Sequence, residues 1–150
     1  MEIEKEIRQQ NKFSSEYEKM IVNILFTGSW LDTLNNSRLK PYGITTQQYN
    51  ILRILRGQHP NPATINMLIE RMLDKNSNAS RLVEKLRMKG LVTRSTNPKD
   101  KRAVSVLITE TGLRVLEEIG TQHSAFEKQF HTITEKEAAQ VNALLDKLRG

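Results

Sequence analysis

The 150-residue chain contains no cysteine. Disulfides, thiolate chemistry and cysteine-ligated zinc are therefore excluded. No stretch approaches the roughly 18 consecutive apolar residues that a membrane-spanning helix needs. The amino terminus, MEIEKEIRQQ, has no apolar signal core, so the expected location is the cytoplasm. Glycine-rich phosphate loops and helical zinc-protease motifs are missing too. The three histidines, His59, His123 and His131, stand beside no serine or cysteine constellation. The sequence thus points away from an enzyme, and no cofactor is expected. Apolar residues make up 37%, below the usual share of about 45 to 50% in globular chains. That deficit suits long helices that complete their burial against a partner.

What the chain has in excess is positive charge, and it is localised. Residues 53–102 carry 12 Lys or Arg against 4 Asp or Glu, a net of +8, whereas the remainder is at −2. A surplus confined to 50 residues marks a surface suited to a polyanion.

Hydrophobic spacing predicts six helices and two strands. Phe13, Tyr17, Met20, Ile24, Leu31 and Leu34 recur at helical intervals, placing a first helix at about 10–38. The breaker Lys40-Pro41-Tyr42-Gly43 ends it, and Thr45 or Thr46 caps a second helix running to Arg56, with Ile44 stapling onto Tyr49. Asn61 and Pro62 read as cap and first turn of a third helix, about 62–72. Ala79, Leu82, Val83 and Leu86 stripe a fourth, about 77–89, closed by Gly90 with Leu91 folding back on Leu86. Leu91–Ser95 and Ala103–Ile108 are extended in character and form a hairpin around TNPKDKR. Thr109 opens a long fifth helix lined by Leu116, Ile119, Phe126 and Phe130. Thr134 with Glu137 then forms a capping box for a sixth, striped by Ala138, Val141, Leu144, Leu145 and Leu148.

The fold class expected is mainly α with a small β-hairpin wing: a winged helix-turn-helix in the order α-α-α-α-β-β-α-α. The expected division is a DNA-binding lobe at 44–109 within a single 150-residue chain, with a helical dimerisation region from both termini, 1–40 and 110–150. On the fourth helix, Ser77, Arg81 and Glu84 fall opposite the apolar stripe, flanked by Ser80 and Lys85. Small hydroxyls beside an arginine allow close approach to base edges, and Arg81 can read guanine through two hydrogen bonds. Glu84 is a complication among phosphates unless it pairs with a cation or accepts from a cytosine amino group. Lys99, Lys101 and Arg102 form the hairpin tip, Arg94 lies on the strand leading to it, and Asp100 is placed to orient Arg102.

The run SRLVEKLRMKGLVTR followed by DKRAVSVLITETG resembles the MarR family of bacterial transcription regulators, most specifically from Ser77 to Gly112. The resemblance implies an obligate homodimer of interdigitated terminal helices that binds a pseudo-palindromic operator in double-stranded DNA, usually as a repressor relieved by a small ligand. It also implies that Ser77, Asn78, Ser80 and Arg81 occupy the recognition-helix contact positions. Arg102 corresponds to the wing arginine of the minor groove and Asp100 to its orienter. By location, Trp30, Arg38, Tyr42 and Tyr49 are candidates for the ligand pocket. A chain without cysteine cannot be one of the family's thiol-oxidation sensors. The alternative is a winged-helix scaffold or non-specific nucleic-acid protein with no cognate site. One further arrangement, His123, Glu127 and His131 at intervals of four, would share a helical face able to hold a metal with Glu135 or a partner subunit, although no metal is expected.

Overall fold

The computed structural model describes residues 1–96 and 103–150. A short helix α1 (Ile3–Glu6) precedes the long α2 (Glu16–Leu39), which passes through a 3₁₀ turn at Lys40–Tyr42 into α3 (Thr46–Gln58). A two-residue strand β1 (Ala63–Thr64) leads to α4 (Ile65–Arg71) and then α5 (Ala79–Met88). Strands β2 (Val92–Thr96) and β3 (Val104–Ile108) follow, and α6 (Glu110–Thr121), α7 (His123–Glu127) and α8 (Glu135–Arg149) close the chain. Among the described residues, no helix is long and apolar enough to cross a membrane.

Side-chain caps set most helix starts. Helix α3 has a reciprocal capping box: Gln48 N–H donates to Thr45 Oγ1 at 3.3 Å, and Thr45 N–H donates to Gln48 Oε1 at 3.0 Å. Because its amide is used in this way, Gln48 is the one polar side chain buried in the core among the described residues. Thr109 and Thr134 cap α6 and α8 as the sequence predicts, the latter with Glu137 completing the box. Helix α5 ends in a Schellman motif at Gly90, whose φ of +72° is left-handed. Gly90 N–H donates to the Arg87 carbonyl and Leu91 N–H to that of Leu86.

Several boundaries differ from the sequence reading. The first helix begins at Glu16 rather than near residue 10, because Ser15 supplies the cap while Ser14 donates twice to Glu18. Asn61 and Pro62 do not start the third helix. Thr64 does, accepting from Met67 N–H, and Ala63–Thr64 pair instead with β3 (Ala63 opposite Val106, Thr64 opposite Ser105). The hairpin is therefore the larger part of a three-stranded antiparallel sheet, ordered β1-β3-β2. The expected long fifth helix breaks at Gln122 and again after Glu127, where a 3₁₀ turn at Lys128–Phe130 intervenes.

The core sits inside the helix-turn-helix lobe. Ile51, Leu52 and Leu55 of α3 meet Leu68 of α4, Val83 and Leu86 of α5, and Val92, Val106 and Ile108 of the sheet, with Leu116 and Ile119 of α6 closing it. Burying a large aliphatic side chain stabilises by about 1.5 to 3 kcal/mol relative to leaving it exposed, so this cluster fixes α5 against the sheet. The outer helices are different: Tyr17 and Ile21 on α2, and Val141, Leu144 and Leu148 on α8, remain exposed.

Candidate nucleic-acid interface

Helix α5 is anchored from one side only. Ala79, Val83 and Leu86 are buried, while Ser80, Arg81 and Lys85 project to solvent. Asn78 is the N-cap, its Oδ1 accepting from Arg81 N–H at 3.1 Å. This bond satisfies one of the first-turn donors and fixes the backbone from which the Arg81 side chain leaves. Ser77 is not on the helix, as the sequence reading had it. It precedes the cap, and its hydroxyl oxygen is buried, so its placement differs from that of Ser80 and Arg81.

Glu84, the acidic complication on this face, is neutralised locally. Arg87 grips it with two hydrogen bonds, Nε to Oε2 at 3.0 Å and a terminal nitrogen to Oε1 at 2.7 Å. Arg94 of β2 approaches the same carboxylate at 3.7 Å. The hydrogen bond from Arg87 is the main cause holding the Glu84 carboxyl below its ordinary value, with Arg94 adding to it. Arg87 escaped the sequence reading, although its spacing of three from Glu84 on a helix was the available signal. Arg94 is thus placed beside the recognition helix. Lys99, Asp100, Lys101 and Arg102 lie outside the described residues.

The turn before α5 is braced by polar contacts. Leu73 N–H donates to Asn50 Oδ1 of α3 at 2.9 Å, and Asn76 N–H donates to Asp74 Oδ1 at 3.0 Å. At the far end of α5 the Thr109 hydroxyl donates to the Gly90 carbonyl at 2.7 Å, and Thr109 N–H to that of Leu91 at 3.1 Å. The same hydroxyl accepts from Gly112 N–H, so one residue joins the end of α5, the end of β3 and the start of α6.

Among the described residues, no described hollow is lined by all four residues expected to share a ligand pocket. Arg38 stacks on Phe126 with 4.1 Å between guanidinium carbon and ring centre, and lies 5.4 Å from the Tyr49 ring. Tyr42 Oη accepts from Gln122 Nε2 at 3.3 Å, and Trp30 meets Phe130 edge-on at 6.0 Å. Trp30 and Arg38 border separate hollows. A cleft of about 940 Å³ lies elsewhere, between α2, the start of α3 and the turn before α5. The histidine face is also not formed. His123 lies 3.8 Å from Glu127, but the 3₁₀ turn after Glu127 takes His131 off the helix, and the described residues hold no group of three potential metal ligands.

A helix-turn-helix whose second helix is backed by a three-stranded antiparallel wing defines a winged-helix protein. The model of the MarR family matches residues 42–103. The HTH-type transcriptional regulator MhqR of Bacillus subtilis (strain 168) is 23% identical over 114 residues, covering 75% of this chain and 77% of that one. The HTH-type transcriptional repressor IacR of Pseudomonas putida is 27% identical over 116 residues, covering 76% and 68%. In structure, a mutant MarR from E. coli complexed with operator DNA superposes with a TM-score of 0.80 at 26% identity, covering 92% of this chain and 99% of that one. Residues 42–103 thus match the MarR family, and the chain is similar in sequence and fold to transcription regulators of that family.

Proposed function

We propose that the chain is a homodimeric repressor of a pseudo-palindromic operator, released when a small ligand binds. The carrying observation is α5, held by Ala79, Val83 and Leu86 while Ser80, Arg81 and Lys85 stay free on its outer face. In this reading residues 44–109 are the DNA-binding lobe, and Asn78, Ser80, Arg81 and Lys85 meet the major groove. Arg81 reads a guanine. Arg94 helps neutralise Glu84 at the base of the wing, and Lys99, Lys101 and Arg102, the last oriented by Asp100, reach the neighbouring minor groove. Residues 1–40 and 110–150 join two subunits, supported by the exposed apolar side chains of α2 and α8. Two lobes related by a two-fold axis read half-sites about one helical turn apart and combine their binding energies. The operator DNA bound by the E. coli MarR mutant and the repressor description of IacR support the reading.

Selecting bound fragments from genomic DNA tests it. A cognate operator is expected to bind roughly 10³-fold or more tightly than random DNA at matched salt. Equal affinity for all fragments would leave only a non-specific nucleic-acid scaffold.

A further inference from the structure

The ≈ 940 Å³ cleft between α2, the start of α3 and the turn before α5 falls within the size range of small-molecule sites, about 300 to 1,000 Å³. Its walls are chiefly apolar, and Leu73, 86% exposed, stands at its edge uncovered. The charge of the lining runs against that of the molecule. In a chain of net charge +6, and beside a segment of net +8, this cleft is bordered by two carboxylates, Asp32 and Asp74, and by no Lys, Arg or His. The Arg38 guanidinium, on the same helix as Asp32, is turned away onto Phe126. A separate sign of an absent partner is the Thr46 hydroxyl on the cleft wall: its oxygen is buried and makes no hydrogen bond. Buried polar oxygens are normally paired, so this one stands without its usual partner beside the cleft.

We propose that this cleft binds an amphipathic organic cation, with its apolar body against Leu73 and Leu25 and its ammonium or protonated amine between Asp32 and Asp74. The proposal rests on the reading of the chain as a ligand-responsive repressor and names the ligand's chemical class. An organic anion meets two like charges at the same place and is disfavoured. The site also touches the part of the lobe that aims the recognition helix. Asn50 and Leu73, which hold the turn through their 2.9 Å hydrogen bond, both line the cleft, as does Asp74, which closes the turn on Asn76 N–H. An occupant that draws Asp74 or Leu73 inward changes the geometry just ahead of the Asn78 cap. Its differential affinity for the two turn arrangements is then read out as altered operator affinity.

The test uses the full chain and two aromatic probes of opposite charge, tetraphenylphosphonium and 2-naphthoate, followed by calorimetry and by operator release. Tetraphenylphosphonium is expected to bind and to release the operator. Asp32→Asn and Asp74→Asn, which keep the acceptor oxygens, should each weaken its binding about 10-fold, and Asp32→Asn, outside the turn before α5, should leave operator affinity in the absence of the cation unchanged. Tighter binding of naphthoate, or cation binding indifferent to both substitutions, overturns the proposal. So does failure of both probes to bind, accompanied by a change of oligomeric mass in Leu73→Arg, since a second copy would then fill the cleft. If naphthoate alone releases the operator, the charge assignment fails and the repressor reading survives. If the cation binds through Asp32 and Asp74 without affecting operator affinity, the site stands and relief by ligand fails.

Discussion

Arg87 holds both carboxylate oxygens of Glu84, three residues earlier on α5, so the recognition helix meets solvent with its one acid already paired. A free carboxylate here would face DNA phosphates and repel them. Removing the arginine therefore does more than delete one positive charge. Arg87→Ala is expected to weaken operator binding about 10-fold, and Glu84→Gln in that background should recover most of the loss. Quantitative gel shift at matched salt measures both. No recovery in the double variant would mean that Arg87 acts on DNA directly rather than by quenching Glu84.

Arg81 leaves a backbone that Asn78 fixes, and this makes its direction predictable. Arg81→Ala is expected to cost about 1 to 3 kcal/mol of operator affinity and to relax preference at one base pair of each half-site. Asn78→Ala should lower stability by about 1 kcal/mol through the lost cap. Scanning operator variants against the two proteins separates the effects. A uniform loss across every sequence in Arg81→Ala would remove its base-reading role.

Gly112 opens α6 against the junction that Thr109 ties together. A Cβ there would run into the Leu91 carbonyl oxygen and lie 2.7 Å from Ile108 Cγ1. Gly112→Ala should therefore destabilise by about 1 to 3 kcal/mol through overpacking. Gly120, later in the same helix, has open space where its Cβ would sit. Gly120→Ala should stabilise by about 0.5 to 1 kcal/mol, because alanine loses less backbone freedom. Thermal denaturation of the pair should show shifts of opposite sign. A neutral Gly112→Ala would mean that the Leu91 backbone yields easily and that the junction is loose.

The features legible in the sequence were those whose signals are local. Thr45, Thr109 and Thr134 each precede an apolar helical stripe, and Gly90 follows one, whereas the Asn78 cap of α5 was not read. The hydroxyl or absent Cβ acts within one turn, so spacing alone locates the boundary. The Ala63–Thr64 strand had no such signal. Two residues carry no alternation, and they are extended because the β3 edge, distant in sequence, offers hydrogen bonds to them (Ala63 opposite Val106, Thr64 opposite Ser105). Pro62 read as a helix start for the same reason: its local preference was visible and the competing edge was not. The outer face of α5 followed from its buried stripe. The cleft did not, since Asp32, Asn50 and Asp74 meet only once α2, α3 and the turn are packed.

Two helix caps in the outer region tie its stability to pH. Glu18 is held below the ordinary carboxylate value chiefly by the Ser14 hydroxyl and then by the Ser14 N–H. Glu137 is lowered chiefly by the Thr134 N–H and then by its hydroxyl. A carboxyl whose folded pKa is depressed contributes stability that is fully present above its unfolded value. That contribution is lost as pH falls through the folded value. Helical circular dichroism followed into acid should therefore show α2 and α8 weakening below the ordinary carboxylate range. Glu137→Gln keeps an acceptor for Thr134 but cannot titrate, so it should flatten part of the acid limb. Superimposable acid profiles for the two proteins would show that this cap does not contribute.

The exposed apolar side chains of the outer helices give the proposed dimer its most direct test. Leu144 is 67% exposed on α8 and Ile21 54% on α2, in a chain whose lobe core is otherwise closed. Apolar surface of this extent is stabilised by coverage, at roughly 25 cal/mol per Å² removed from water. A charged group introduced there is solvated in a monomer and must be desolvated in a dimer. Leu144→Arg should thus shift the sedimenting mass toward one chain while leaving the lobe folded, because the lobe core includes no α8 residue among the described residues. Operator affinity should then fall steeply, since each half-site is held without its neighbour. Single-half-site DNA supplies the control: its weak binding should be equal for both proteins. A dimeric Leu144→Arg with full operator affinity would place the subunit contact on another face.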